Sequence, residues 1–325
     1  MKTTKKFDVV SLGELLIDFT QTGISPMGMR LFEQNPGGAA ANVLCALAKL
    51  GKKTAFIGKV GQDIHGAFLR ETLKDNGVDI SGLVEDPSVF TTLAFVELAV
   101  SGERSFSFAR KPGADTRLRP EELKRELLEE ARVFHFGSLS LTDEPARSAV
   151  LEAIRIAKSA GAIISYDPNY RSSLWSDEKV AIETMYGVLC YADCVKLSEE
   201  EATYLTGEKN HEKAAEIIID EGPSCVVVTL GSHGADAVTR KNNVYVPVMD
   251  VPVIDTTGAG DSFWGAFLCQ LIETDTAPGE LTKGQLLRAV RFANAAACCV
   301  VQKRGAIPAM PGPEEVARYL SLSKN

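Results

Sequence analysis

The run Asp255-Thr256-Thr257-Gly258-Ala259-Gly260-Asp261-Ser262-Phe263 carries the strongest chemical signal in the chain. It follows the strand-like Val251–Ile254 and leads directly into an apolar stretch at helical spacing, Ser262–Ile272. Small residues at Gly258, Ala259 and Gly260 let backbone amides approach a ligand, and unpaired N–H groups at a helix start favour an anion. One exposed helix terminus is worth only ~0.3–1 kcal/mol to an anion. Tight binding therefore needs several charge-assisted hydrogen bonds, each contributing ~1.5–3 kcal/mol. Asp261 repels an anion bound beside it. Two readings account for it: a general base that takes a hydroxyl proton during phosphoryl transfer, or an N-cap for the helix that follows. No Gly-x-x-x-x-Gly-Lys-Ser/Thr occurs, so the loop is not a Walker A loop, and Phe263 stands where a dinucleotide fingerprint needs its third glycine. The second failure argues against a nicotinamide dehydrogenase on a doubly wound sheet.

Two weaker signals accompany it. Thr229-Leu230-Gly231-Ser232-His233-Gly234 follows the apolar Cys225–Val228, and its backbone and Thr229 hydroxyl suit nucleotide contacts; as a lone glycine turn it also reads as purely structural. Arg171 is a permanent cation able to hold a phosphate oxygen or sugar hydroxyls through paired hydrogen bonds, or simply to form a surface ion pair.

The elements that must position these groups alternate along the chain. Phe7–Leu12 reads as a strand, Gly37–Leu50 as a helix closed by Gly51, Thr54–Val60 as a strand and His65–Asn76 as a helix. Arg132–Phe136, Ala162–Asp167, Cys194–Leu197 and Cys225–Leu230 read as further strands, separated by helices over 144–160, 177–191, 199–205 and 212–221. Ala235–Arg240 and Val244–Pro247 follow, and Leu281–Cys299 is a late helix. Such alternation predicts an α/β fold with a mostly parallel sheet. The stretch Thr91–Phe108 breaks it: Thr92–Ala99 and Arg104–Phe108 flank the turn Ser101-Gly102-Glu103, which predicts an antiparallel excursion that Leu15–Thr20 joins. With no repeat or long linker, the 325 residues read as one large domain rather than two.

Composition bounds the function. Acidic residues outnumber basic ones 43 to 35, a net charge of −8, which disfavours sequence-independent nucleic-acid binding. No apolar run approaches the ~18 residues of a membrane span. The basic start Met1–Lys6 is followed by Asp8, Glu14 and Asp18, so no signal peptide is predicted. Seven cysteines, an odd number in mostly apolar context, read as reduced thiols of a cytoplasmic protein; neither they nor the four histidines show metal-ligand spacing.

Asp255–Phe263 closely resembles the C-terminal signature of the ribokinase-like (PfkB) sugar kinases. Gly37-Gly38 with Asn42 resembles their N-terminal signature, and Gly13-Glu14-Leu15-Leu16-Ile17-Asp18 their first strand with its sugar-binding aspartate. The matches run in order from about residue 8 to 313. The resemblance implies a three-layer α/β/α fold, with a small β-strand lid drawn from about residues 14–35 and 91–112. It implies that Asp261 deprotonates the sugar's primary hydroxyl and that Gly258, Ala259 and Gly260 form an anion hole for the γ-phosphoryl group. Asp18, Gly37, Gly38 and Asn42 would then bind the sugar. Lys196-Leu197-Ser198-Glu199-Glu200-Glu201 is similar to the family's Asn-x-x-Glu motif near the phosphates, with Ser198 where asparagine is usual; Glu201 would orient Mg²⁺ through water. Thr229, Gly231 and Gly234 match the nucleotide loop and Asn294 a position lining the adenine pocket. Asp255 and Thr257, with backbone near Val300 and Gly305, would hold K⁺; Ala309 stands where some K⁺-activated relatives carry serine.

Asp167-Pro168-Asn169-Tyr170-Arg171-Ser172-Ser173-Leu174-Trp175, Phe134–Leu141 and Phe106–Asp115 resemble segments of the fructokinase branch of that family. This places Asn169, Arg171, Lys196 and Ser198 on the nucleotide side, and Phe95, Phe108, Arg110 and Arg171 facing the sugar. The implied reaction is phosphorylation of D-fructose by ATP to fructose 6-phosphate. Phosphorylation of 2-keto-3-deoxygluconate is the nearest alternative, since that branch shares the Lys-x-Ser-x-x-Glu and Asn-x-Arg…Leu-Trp features; its carboxylate substrate would want extra cations at Arg110 or Arg171. Nucleoside phosphorylation and an inactive sugar-binding regulator are further alternatives. The family also implies a homodimer through the lid, which the apolar Leu93–Leu98 supports.

Overall fold

The computed structural model describes residues 5–98 and 104–322; the Met1–Thr4 segment and the Ser101–Glu103 turn lie outside the described residues. Strand β1 (Phe7–Leu12) leads to the hairpin β2 (Leu16–Ile24) and β3 (Arg30–Gly37), then to α1 (Ala39–Lys49), β4 (Thr54–Gly61), α2 (Ile64–Asp75) and β5 (Asp79–Asp86). The second excursion is β6 (Leu93–Leu98) and β7 (Arg104–Ala109). The chain continues through α3 (Arg125–Glu129), β8 (Ala131–Gly137), α4 (Ala146–Ser159), β9 (Ile163–Asp167), α5 (Glu178–Gly187) and β10 (Cys194–Ser198). It closes with α6 (Glu199–Thr206), α7 (His211–Asp220), β11 (Cys225–Thr229), β12 (Ala235–Thr239), β13 (Asn243–Val246), α8 (Ala259–Thr274), α9 (Lys283–Val301) and α10 (Pro313–Leu322).

Nine of these strands form one sheet in the order β13-β12-β11-β10-β9-β8-β1-β4-β5. It is parallel from β11 to β5, and β12 and β13 run antiparallel at one edge. Buried parallel strands need apolar side chains on both faces, and Cys225-Val226-Val227-Val228 supplies them. Helices cover each face over its own core. One core gathers Leu44, Leu69, Phe267, Val290 and Val316; the other gathers Leu128, Ile154, Met185, Leu205 and Ile218. The chain leaves β1 toward β4 on one side and returns as β8 on the other, so the strand order reverses beside β1. Ligands of open α/β sheets bind at the carboxyl ends of strands at such a switch point.

The second sheet has the order β3-β2-β6-β7, with β2 parallel to β6. It forms the lid. Leu15–Thr20 joins the excursion as expected, and β3 lies mostly within the 14–35 lid segment that the family resemblance implies, although its residue pattern alone marks no strand. Its polar sequence and Pro36 hide a strand that gains its partners only from β2. Val251–Ile254 is a correction: it forms no strand, and the Ile254 and Asp255 N–H groups donate to the Val301 carbonyl at 2.7 and 3.1 Å.

Candidate active site

Helix α8 starts at Ala259, and Gly258, at φ +77°, precedes it as the cap residue. A Cβ at Gly258 would lie 2.7 Å from that of Ala306, so both the backbone angle and the space require glycine. Asp261 is therefore the third helical residue, and the N-cap reading is overturned. Its carboxylate instead points across to α1, where Asn42 Nδ2 donates to Asp261 Oδ2 at 2.7 Å. The two helices approach closely enough for this because Gly265, one turn further on, leaves only 3.0 Å between its would-be Cβ and Ala46, one turn beyond Asn42. Asn42 Oδ1 is buried without a partner in the protein, a free acceptor beside the carboxylate.

The cleft is completed at the base of the lid. Gly38 caps α1 at φ +115°, where a Cβ would meet the Glu14 carbonyl at 2.3 Å. A Cβ at Gly37 would lie 2.4 Å from Asp18 Oδ2, so this pair of glycines makes room for Asp18. Asp18, Thr20, Asn35 and Val96 line one cleft with Asp255, Thr257 and Gly305. Burial, opposed by Arg171 and reinforced by Asp261, pushes the Asp18 carboxyl up to about 7. Burial raises Asp261 as well; Asn42, Lys196 and Arg171 pull it down and Asp167 pushes it up.

Strand pairing corrects one lid residue. Asp18 pairs with Ala94 and Ala94 with Phe108, so Phe108 shares the Asp18 face. Phe95 pairs with Phe19 on the opposite face, where it stacks on Phe19 at 5.4 Å and meets Phe32 edge-on. It packs the lid face opposite Asp18. Arg110 is corrected too. Its guanidinium is buried and bonded to Asp115 (2.8 and 2.7 Å), Thr142 Oγ1 (2.9 Å) and the Leu139 carbonyl (2.8 Å). It anchors the end of β7 beneath the lid and presents no fork to the cleft.

Opposite the lid, the last residues of β9, β10 and β11 are Asp167, Ser198 and Thr229. The buried Lys196 pairs with Asp167 at 2.8 Å, and its Nζ lies 3.1 Å from where a Cβ on Gly260 would stand. An ammonium thus underlies the start of α8, where the anion hole was expected. Burial would depress the Lys196 ammonium, but Asp167, Glu201 and Asp261 raise it above the ordinary lysine value, so it stays charged. Ser198 caps α6 and closes a capping box with Glu201. The Glu201 carboxylate also accepts the Tyr170 N–H at 2.7 Å, and burial with Asp167 raises its pKa. Asn169 sits between them at φ +45°, an uncommon backbone angle for a non-glycine residue. Arg171 is half-buried, and its charge reaches both Asp18 and Asp261.

The nucleotide-side candidates lie further along the same sheet edge. Gly231 (φ +56°) and Gly234 (φ +112°) shape the turn after Thr229, and a Cβ at Gly234 would lie 2.1 Å from the Val246 carbonyl. Asn294 donates to Val246 O at 3.1 Å, in a slot lined by Val246, Met249, Leu287, Cys298 and Tyr319. Near the start of α8, Asp255 accepts from Thr257 N, Thr257 Oγ1 and Gly305 N, which draws the 255–257 and 305–306 loops together.

A primed carboxylate at a helix N-terminus, an ammonium beneath it and a lid over a polar cleft suit transfer of a phosphoryl group to a hydroxyl. The sequence profile of the pfkB family carbohydrate kinases matches residues 6–313. The chain belongs to the pfkB carbohydrate kinase family. It is 42% identical over 320 residues to the Arabidopsis thaliana protein named probable fructokinase-5, covering 98% of both chains. The fructokinase of Xylella fastidiosa with bound ATP superposes with a TM-score of 0.90 at 34% identity, over 98% of this chain and 99% of that one. A double mutant of the Vibrio cholerae O395 fructokinase, in a fructose-, ADP- and potassium-bound form, gives 0.88 at 34% identity over 98% and 100%. The fold is thus the ribokinase-like three-layer arrangement with a lid, and the enzyme is a sugar kinase.

Sequence reasoning missed several groups. Asn35 reaches the cleft from β3, at the end of the expected lid segment. Ser165 Oγ accepts from Trp264 Nε1 at 2.9 Å and bonds His135 Nδ1 at 3.0 Å, joining α8 to β9 and β8 three residues beyond Asp261. Burial, with Lys196 nearby, pushes His135 down to about 3, so it is neutral. The only signal was polar residues inside apolar strands.

Proposed function

We propose that this chain transfers the γ-phosphoryl group of ATP to the primary 6-hydroxyl of D-fructose. The observation that carries the reading is the Asn42–Asp261 pair at the head of α8, facing Asp18 and Arg171. Asn42 holds Asp261 Oδ2, and the other carboxylate oxygen would take the hydroxyl proton as the oxygen attacks phosphorus. The desolvated carboxyl has a raised pKa, which makes it a better proton acceptor than an exposed aspartate. Charge developing on the γ-phosphoryl oxygens would meet the N–H groups of Gly258, Ala259 and Gly260, with Lys196 beneath them. Asp18, the Gly37-Gly38 backbone and the free Asn42 Oδ1 would bind sugar hydroxyls, and closure of the lid would exclude water that otherwise hydrolyses ATP.

The identity to plant fructokinases and the fructose-bound relative favour fructose as acceptor. Arg110 is already bonded to Asp115, so of the two cations a carboxylate substrate would want only Arg171 remains. The adenine would lie in the Asn294 slot, with its phosphates running past Thr229, Gly231 and Gly234 toward Ser198, Asn169 and Arg171. Asp167 and Glu201 fit Mg²⁺ held through water: each oxygen accepts one hydrogen bond and keeps lone-pair capacity for a second. The metal would neutralise phosphate charge. The loops drawn together by Asp255 fit K⁺, and Ala309 offers no side-chain oxygen.

The two sheets would form one kinase unit. Ile24, Met27, Met29 and Leu31 are exposed on the lid, which supports a homodimer through its strands. Among the described residues no helix is long and apolar enough to cross a membrane. The seven cysteines are free, which supports a reducing, cytoplasmic setting. The test is to incubate the protein with ATP, Mg²⁺ and fructose and follow the products by ³¹P NMR. The reading predicts stoichiometric ADP and a ketose phosphorylated at C6; ADP formation independent of fructose would refute it.

A further inference from the structure

The antiparallel edge of the large sheet carries a cluster outside the kinase cleft. Asp236, on β12, is fully buried, and neither of its carboxylate oxygens has a hydrogen-bond partner. A carboxylate left so would cost several kcal/mol. The nearest cationic candidate is the imidazole of His211, the first residue of α7, whose Nε2 lies 3.7 Å from Asp236 Oδ2. Glu212, next on the helix, turns its carboxylate to the same place and accepts from Asn243 Nδ2 on β13 at 3.2 Å. One ligand atom from each of His211, Glu212 and Asp236 lies within 4.8 Å of the other two.

An imidazolium carries one positive charge and cannot neutralise two carboxylates. A divalent ion can. We propose that His211, Glu212 and Asp236 form a binding site for a divalent first-row transition ion, Zn²⁺ in particular, with water completing its shell. One imidazole nitrogen and two carboxylate oxygens match zinc's preferences, whereas Mg²⁺ takes oxygen ligands. Tetrahedral ligation needs donor atoms roughly 3.3 Å apart, a small inward movement of the exposed Glu212. The ion would tie α7 to the strand that leaves the Thr229–Gly234 turn, since Asp236 lies two residues past Gly234. Sequence spacing hides the site, because Asp236 is brought to His211 only by the pairing of β12.

The test uses the full chain, stripped of metal and free of nucleotide, with Cys190→Ser as background to remove the exposed thiol. Calorimetric titration should find one Zn²⁺ per chain and no Mg²⁺ of matching affinity. His211→Gln and Asp236→Asn should each weaken Zn²⁺ at least tenfold while keeping the circular dichroism spectrum; Asp236→Asn keeps the side chain's shape and removes its charge, so it should fold. Co²⁺ added in place of Zn²⁺ should give weak visible d–d bands without a thiolate charge-transfer band. Zn²⁺ affinity unchanged in both variants overturns the site. So does a thiolate band, which puts the ion on cysteines, or a wild type that binds no Zn²⁺, which leaves a histidine–aspartate ion pair only.

Discussion

The two sheets divide the work of the site unequally. The carboxyl edge of the large sheet is built from buried charge: Asp167, Lys196 and Glu201 are bonded to one another or to backbone, and α8 lays its N-terminus over them. The lid is built from pairing and exposed apolar surface, and it offers Asp18 on one face and an aromatic stack on the other. Reaction chemistry needs groups held still, and strand ends anchored in two cores hold them. Acceptor recognition needs a surface that opens and closes, and a four-stranded sheet on the rim can do so. Damage at the large-sheet edge should therefore appear in kcat, and damage in the lid in KM and water exclusion.

The largest effect should come from Asp261→Asn, which keeps the bond to Asn42 within reach and removes the base. We expect kcat to fall ~10²-fold or more, with fructose affinity by calorimetry little changed. Lys196→Met should follow, lowering kcat about tenfold or more through loss of positive charge beneath the anion hole. It also carries a pH signature. As the proposed base Asp261 must be ionised, and burial holds it above the ordinary aspartate value, so kcat/KM should fall as pH drops through that raised value. Lys196 is one of the groups lowering it, so its removal should move the acid limb to higher pH. An unmoved limb would separate Lys196 from the base.

Asp18→Asn should instead raise the fructose KM at least tenfold, with a smaller change in kcat. Its stability effect has a definite sign. The Asp18 carboxyl titrates near 7 when folded against 3.8 ordinarily, so folding opposes its ionisation. That penalty is absent below the unfolded value and complete above the folded one. The variant should melt higher than the parent at pH 8, by about 2 °C or more, and equally at pH 3. The smallest effects should distinguish the two lid faces. Phe108→Ala, on the Asp18 face, should raise the fructose KM a few-fold and increase sugar-independent ATP hydrolysis. Phe95→Ala should lower the melting temperature and leave KM within about twofold; equal KM effects would erase the distinction between the faces.

Much of the large-sheet edge was legible because its signals are local. The glycine turn, apolar helix and β-branched strands sit within a few residues of the groups they position, and Gly258–Asp261, Asn42 and Lys196 lie together in the fold. The lid was less legible because its partners are remote in sequence. β3 has no periodic apolar pattern, and the face of Phe95 depends on a register with β2 some 76 residues away (95 − 19). Arg110 shows the same limit: its charge invited a substrate role, but Asp115 and the Leu139 carbonyl claim it once the chain folds. The Ser165–Trp264 bond that ties α8 to β9 joins residues too distant for any motif to reveal.

The central claim is that this cleft selects fructose among the sugars its family handles. The direct measurement is kcat/KM for fructose, ribose and 2-keto-3-deoxygluconate side by side, with saturating ATP and Mg²⁺. The account predicts fructose at least tenfold ahead of both others. A value at least tenfold higher for either of the others would contradict it.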